Sequence, residues 1–170
     1  MPNPTTAPLT QLSPKQLTLR RRMLSPFTWR LFAARKLPST AFWGVRIREL
    51  EAEHCAVTMP YGWRTQNPFR SVYFAAQCGA AELSTGALAL LHLEGQPRTS
   101  MLVTRFDSAY FKKADATLRF VCRDGEAVAD AIARTVADGS PQTVLATSEA
   151  FLPDGTPASR FKVTWSFRRR

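Results

Sequence analysis

Glu82 is the residue best placed to do chemistry, because it is the lone charge in the run SVYFAAQCGAAELSTGALALL, residues 71–91. A carboxylate withdrawn from water is unfavourable unless it is paired, hydrogen-bonded or protonated, and carboxyls perturbed in this way serve as bases and nucleophiles in enzyme sites. A second role is equally open: Glu82 pairs with a buried arginine or a backbone N–H and only fixes register. Asn67 before Pro68 is either a turn residue or a ligand contact. Tyr73 is either a packed aromatic with a satisfied hydroxyl or a polar group of a site. His54 and His92 belong to no HExxH pattern, and His92 falls near a helix end where partial positive charge is favourable. Cys55, Cys78 and Cys122 are odd in number and widely spaced, with no CxxC pair, and Cys78 reads as core. No metal and no cofactor is expected. A Ser-His-Asp triad, a GxGxxG loop, a P-loop and an RNP-type aromatic motif are likewise absent from the sequence.

The element that must position Glu82 is a helix apolar on nearly every side, which is the signature of a buried one. From Arg70 to His92 it would run roughly 35 Å. Ala75, Ala76, Gly79, Ala80, Gly86 and Ala87 give it a small-grained surface round which a sheet could curl. Tyr73 and Glu82 are nine positions apart, and nine steps of about 100° place them on opposite sides of a helix. Gln77 shares the face of Tyr73; Thr85 and Cys78 share that of Glu82. One chain cannot aim both faces into one pocket.

Around this helix the period is two. VRIREL (45–50) and HCAVTMPY (54–61) form a hairpin, TSMLVTRFDSAYFKKA (99–114) and ATLRFVCR (116–123) follow the helix, and QTVLATSEAFL (142–152) and SRFKVTWSFRR (159–169) flank the turn PDGTP. Asp124 is a good N-cap for a second, amphipathic helix that Gly139 ends. Ahead of the hairpin, a Pro-studded stretch over residues 1–14 reads as a flexible tail. Two short basic helices, about 15–24 and 27–36, are separated by Pro26. The expected division is a tail (1–14), a basic helical segment (15–43) and one main domain (44–170), in the mixed α+β class.

The net charge of +10 is lopsided. Nine basic residues and no acid lie in residues 1–48, so all 13 acidic residues fall in the remainder, which is close to neutral. The basic arm suits a polyanionic ligand or peripheral contact with an anionic membrane surface through residues 15–36; the bland alternative is a solvated helix face. Nucleic acid is not the expected partner. The longest uncharged run counted from Arg70 stops at Glu82, short of a membrane span, and the unpaired cysteines suit a reducing compartment, so a cytoplasmic protein is expected.

Strand, strand, long buried helix and four further strands resembles the hotdog fold, in which an antiparallel sheet of about six strands wraps a central helix. Asn67 and Pro68, then Tyr73, Phe74 and Ala75, then Glu82 also resemble a segment of many hotdog acyl-CoA thioesterases: Asn-Pro, a spacer, His-Gly-Gly, and an acid nine positions after the His. DSAYFKKA (107–114) is similar to their strand beside the ligand channel, with Lys113 where a proline is common. The pattern spans about 45–168 and looks most like an uncharacterised branch of the superfamily.

The resemblance implies an acyl-CoA thioesterase-like protein that hydrolyses or binds acyl thioesters at a pocket shared between two subunits. Glu82 would be the catalytic carboxylate, acting as base or nucleophile, and the backbone N–H of Phe74 would polarise the thioester carbonyl. Asn67, Tyr73, Phe74, Gln77 and Thr85 would contact substrate. The acyl chain would lie between helix and sheet, with the anionic carrier outside near Lys112 and Lys113. A homodimer is expected, because an exposed sheet edge and a two-part site both call for a second copy. Tyr73, Phe74 and Ala75 depart from His-Gly-Gly, which keeps open a non-catalytic acyl-binding or scaffold protein. A nucleic-acid or membrane adaptor built on residues 15–36 is a third reading.

Overall fold

Three prolines set the start of the chain's architecture. The computed structural model describes residues 11–170, so the expected tail lies, as far as residue 10, outside them. Pro14, Pro26 and Pro38 each occupy the first turn of a helix, where a missing N–H is no loss: α1 (Pro14–Leu24), α2 (Pro26–Lys36) and α3 (Pro38–Trp43). Ser13 caps α1 reciprocally with Gln16. The six-residue α3 has too few turns to show a period, and the sequence pattern does not announce it. These helices are fastened to the body: the Trp29 indole donates to Val45 O (2.9 Å), Gln16 Nε2 to Leu91 O (3.0 Å) and Arg20 Nε to Leu50 O (2.7 Å).

Six strands then form one antiparallel sheet. They are β1 (Arg46–Leu50), β2 (Cys55–Met59), β3 (Thr99–Tyr110), β4 (Leu118–Cys122), β5 (Gln142–Phe151) and β6 (Pro157–Arg169), in the order β1-β2-β4-β5-β6-β3. The central helix α4 (Phe74–Leu93) lies against β2, β4, β5 and β6, and α5 (Gly125–Asp138) covers α4 and β5. By length and hydropathy α4 could cross a membrane, yet 67% of its apolar window is buried inside this fold, so it is the core helix.

Phe120, Phe161 and Phe167 fill the space between α4 and the sheet, each fully buried, and each such side chain stabilises the fold by about 1.5–3 kcal/mol. The small residues of α4 serve tryptophans more than backbones. A Cβ at Gly79 would stand 2.6 Å from the Trp43 ring, and one at Gly86 3.2 Å from the Trp165 indole.

Asp124 precedes α5 but does not cap it. Its carboxylate accepts instead from Thr147 N, tying the helix to β5. Gly125 follows because the chain there lies against the β1–β2 connection: a Cβ would be 2.0 Å from Ala52 O, and Gly125 N donates to Glu53 O (3.1 Å). A backbone carbonyl cannot swing aside as a side chain can. Gly125→Ala is therefore expected to destabilise by about 2–3 kcal/mol through overpacking. Denaturant unfolding checks it, and an unchanged midpoint would contradict the collision.

Candidate active site

The entry to α4 is shaped by backbone groups that its turn residues satisfy. Asn67 Oδ1 accepts from Phe69 N (3.0 Å), Ser71 N (3.2 Å) and Ser71 Oγ (3.1 Å), so this side chain is occupied in holding the loop. Arg70 takes a left-handed φ of 56°. Val72 N then donates to Ala114 O and Tyr73 N to Thr65 O. Those tertiary bonds delay the helix, which starts at Phe74 and not at Arg70 and runs about 30 Å over its 20 residues.

Tyr73 sits at the N-cap in extended conformation (φ −61°, ψ 133°) without a side-chain cap. Among the described residues no acceptor faces the N–H groups of Phe74, Ala75 and Ala76, so the positive end of α4 presents free donors. The Tyr73 and Phe74 rings meet edge to face (5.0 Å) and are both exposed. Gln77 faces the other way. Its Nε2 donates to Val72 O (3.0 Å) and its Oε1 accepts from Ser159 Oγ (2.8 Å), clamping the helix start to β6.

Glu82 lies two turns further, about 12 Å along the axis from Phe74. It lines a cavity of about 300 Å³ with Trp165, Met101, Leu83, Ala87 and Lys36. Among the described residues its carboxylate makes no ion pair and no hydrogen bond. The arginine partner of the structural alternative is therefore not present, and Lys36 stays beyond ion-pair distance. Below the carboxylate, Thr85 Oγ donates to Glu82 O (3.0 Å) and accepts from the Trp165 indole (2.9 Å), so Thr85 fixes the wall. A Cβ at Gly86 would stand 3.4 Å from Glu82 Oε1; glycine leaves the acid room.

Burial raises the Glu82 pKa above its ordinary 4.5, with no compensating charge. The sign follows from proton binding. The folded state holds this proton more tightly than the unfolded chain, so Glu82 favours folding below pH 4.5 and loses that contribution as pH rises through its folded pKa. Glu82→Gln is expected to be more stable than the native protein at neutral pH, with the difference closing toward pH 4.5. Paired melting curves across that range check it; a variant less stable at pH 7 would show that the Glu82 carboxylate has a stabilising partner.

The histidines are placed elsewhere. His92 is buried, and that desolvation lowers its pKa; the positive charge that a helix end would favour is outweighed. Its neutral ring donates from Nε2 to Ala52 O (2.8 Å). His54 stands 3.3 Å from Glu49 at the far edge of the sheet. Cys55 and Cys122 are buried, and burial pushes both thiols upward, Cys122 to about 12. Cys78 Sγ lies 3.5 Å from the Tyr110 hydroxyl. Among the described residues no cluster of His, Cys, Asp or Glu could hold a metal.

One chain thus presents free donors at the start of α4 and an unpaired acid in its middle. Sequence reasoning singled out Glu82 and the start of α4, but not Trp165, Met101 and Lys36, which line the Glu82 cavity from distant elements.

Several solved structures share this architecture. A Chlorobaculum tepidum TLS protein with unknown function superposes with a TM-score of 0.71 at 16% identity, over 87% of this chain and 99% of its own. A Pseudomonas aeruginosa protein of unknown function, named a probable thioesterase, gives 0.70 at 19% identity over 88% and 99%. A Haemophilus influenzae thioesterase gives 0.65 at 12% identity over 89% and 95%. At these identities the likeness shows the fold, the hotdog fold of thioesterase-like proteins. No curated protein matches the sequence. Residues 28–166 match a family model, and the chain belongs to that family, the Domain of unknown function (DUF4442).

Proposed function

We propose that this thioesterase-like protein hydrolyses acyl thioesters such as acyl-CoA, with Glu82 of one subunit and the start of α4 of a second acting on one substrate. The observation that carries this reading is the unpartnered, half-buried Glu82 carboxylate on the wall of an apolar cavity. An acid with a raised pKa is suited to accept a proton near neutrality. In the base route Glu82 takes a proton from water and the hydroxide adds to the thioester carbonyl. The Phe74 N–H donates to the oxyanion, the C–S bond breaks, and the thiolate takes up a proton. Direct attack by Glu82 needs the same ionised group.

The two-part site calls for a dimer. β3 supports it: a twelve-residue strand at the edge of the sheet, with Met101 near Glu82 and Leu102 66% exposed. Sedimentation at micromolar concentration is expected to give twice the monomer mass; a strict monomer would remove the shared site.

A second reading, an acyl binder without turnover, is favoured by Tyr73, Phe74 and Ala75 standing where the resembled enzymes carry His-Gly-Gly. Thiol release from an acyl-CoA series discriminates the two. Saturable release supports the hydrolase, and none at any chain length leaves the binder.

A further inference from the structure

Glu82 lines one cavity of about 300 Å³. A second cavity of about 430 Å³ lies under α1 and α2 against the last turns of α4, and Met23, Trp29, Phe32 and Leu90 line both. Both cavities open to solvent past the exposed Phe32 and Leu90, and ligand sites run to roughly 300–1,000 Å³. The roof is held in place by Trp29 on Val45, by Arg20 on Leu50 and by Gln16 on Leu91 of α4 itself. Along α4 the two cavities together span Glu82 to Leu93, about 16 Å. Their walls are largely apolar, with Glu82 and Lys36 at the inner end and Arg22 and Glu94 at the outer rim. By contrast, the space between α4 and the sheet is filled by Phe120, Phe161 and Phe167.

From this juxtaposition we infer that the two cavities form one slot beneath α1 and α2 that receives a medium- to long-chain acyl group, its thioester end at Glu82 and its methyl end toward Leu19 and Leu93. The inference rests on the reading of the protein as an acyl-thioester protein, and it adds a chain-length selectivity supplied by the helices that precede the sheet. The inner end lies beside Met101 on β3, the edge strand assigned to the subunit contact, so the carrier would leave the slot between the two subunits.

The test uses the S-butyl, S-octyl, S-dodecyl and S-hexadecyl thioethers of coenzyme A, which cannot be hydrolysed, and measures their affinities by calorimetry. Each buried methylene is worth roughly fourfold, so affinity is expected to climb steeply from butyl to dodecyl. Leu93→Trp and Leu19→Trp fill the outer end from opposite walls, and each is expected to cut the dodecyl-to-butyl affinity ratio by about tenfold or more. Melting curves identify a variant that fails to fold, and the native series then decides alone. Affinity independent of chain length, no binding of any thioether, or an unchanged ratio in both folded variants would overturn the slot. Length-dependent binding without turnover of the matching acyl-CoA leaves the slot standing and removes the hydrolase; turnover without length dependence does the reverse.

Discussion

Glu82→Gln is expected to keep its fold and lose at least about 100-fold of thioester turnover, the ordinary contribution of a positioned base. Glutamine is nearly isosteric with the acid, so Gly86 and Trp165 still have their room, and Thr85 still donates to the unchanged main-chain carbonyl. What disappears is the ability to take a proton or to attack carbon. No ion pair is broken, because none involves Glu82 among the described residues, so the variant separates chemistry from stability. Turnover and melting measured on one sample decide it: unchanged turnover in a well-folded variant would exclude Glu82 from the reaction.

Phe74→Pro carries the second large effect. The helix start tolerates it: Phe74 is the first helical residue, where proline is favoured, and Tyr73 before it is already extended, as a residue preceding proline must be. The substitution deletes the N–H assigned to the oxyanion and leaves those of Ala75 and Ala76. Loss of one such donor lowers turnover by about 100- to 1,000-fold. Phe74→Ala is the control, since it removes the exposed ring and keeps the donor. Equal losses in the two variants would assign the effect to the ring.

How much of this was legible in the sequence differs by element. All six strands were legible in the sequence, most plainly β6, where one face is buried and the other is not, whereas β3 has no fully buried residue. Glu82 was visible as the lone charge of an apolar run. Asn67 was legible as a turn residue, and its side-chain oxygen is in fact taken up by Phe69 and Ser71. The helix start was misplaced by four residues because Val72 and Tyr73 give their N–H groups to Ala114 and Thr65, partners outside the helix that no helical period reveals. For the same reason the small residues of α4 suggested a close backbone, whereas Gly79 and Gly86 receive the rings of Trp43 and Trp165. The slot was invisible: it depends on where α1 and α2 are fastened, through Arg20, Gln16 and Trp29, and amphipathic spacing gives a helix a buried face without naming what it covers.

The central claim is that one site is assembled from Glu82 of one subunit and the Phe74 N–H of another, and subunit mixing tests it most directly. Glu82→Gln and Phe74→Pro proteins, each nearly inactive alone, are mixed in equal amounts and allowed to exchange subunits. Half of the dimers are then mixed, each with one intact site, so turnover of a long-chain acyl-CoA is expected to recover to about a quarter of the native value. Mixed dimers that form and stay inactive would contradict a site shared between subunits.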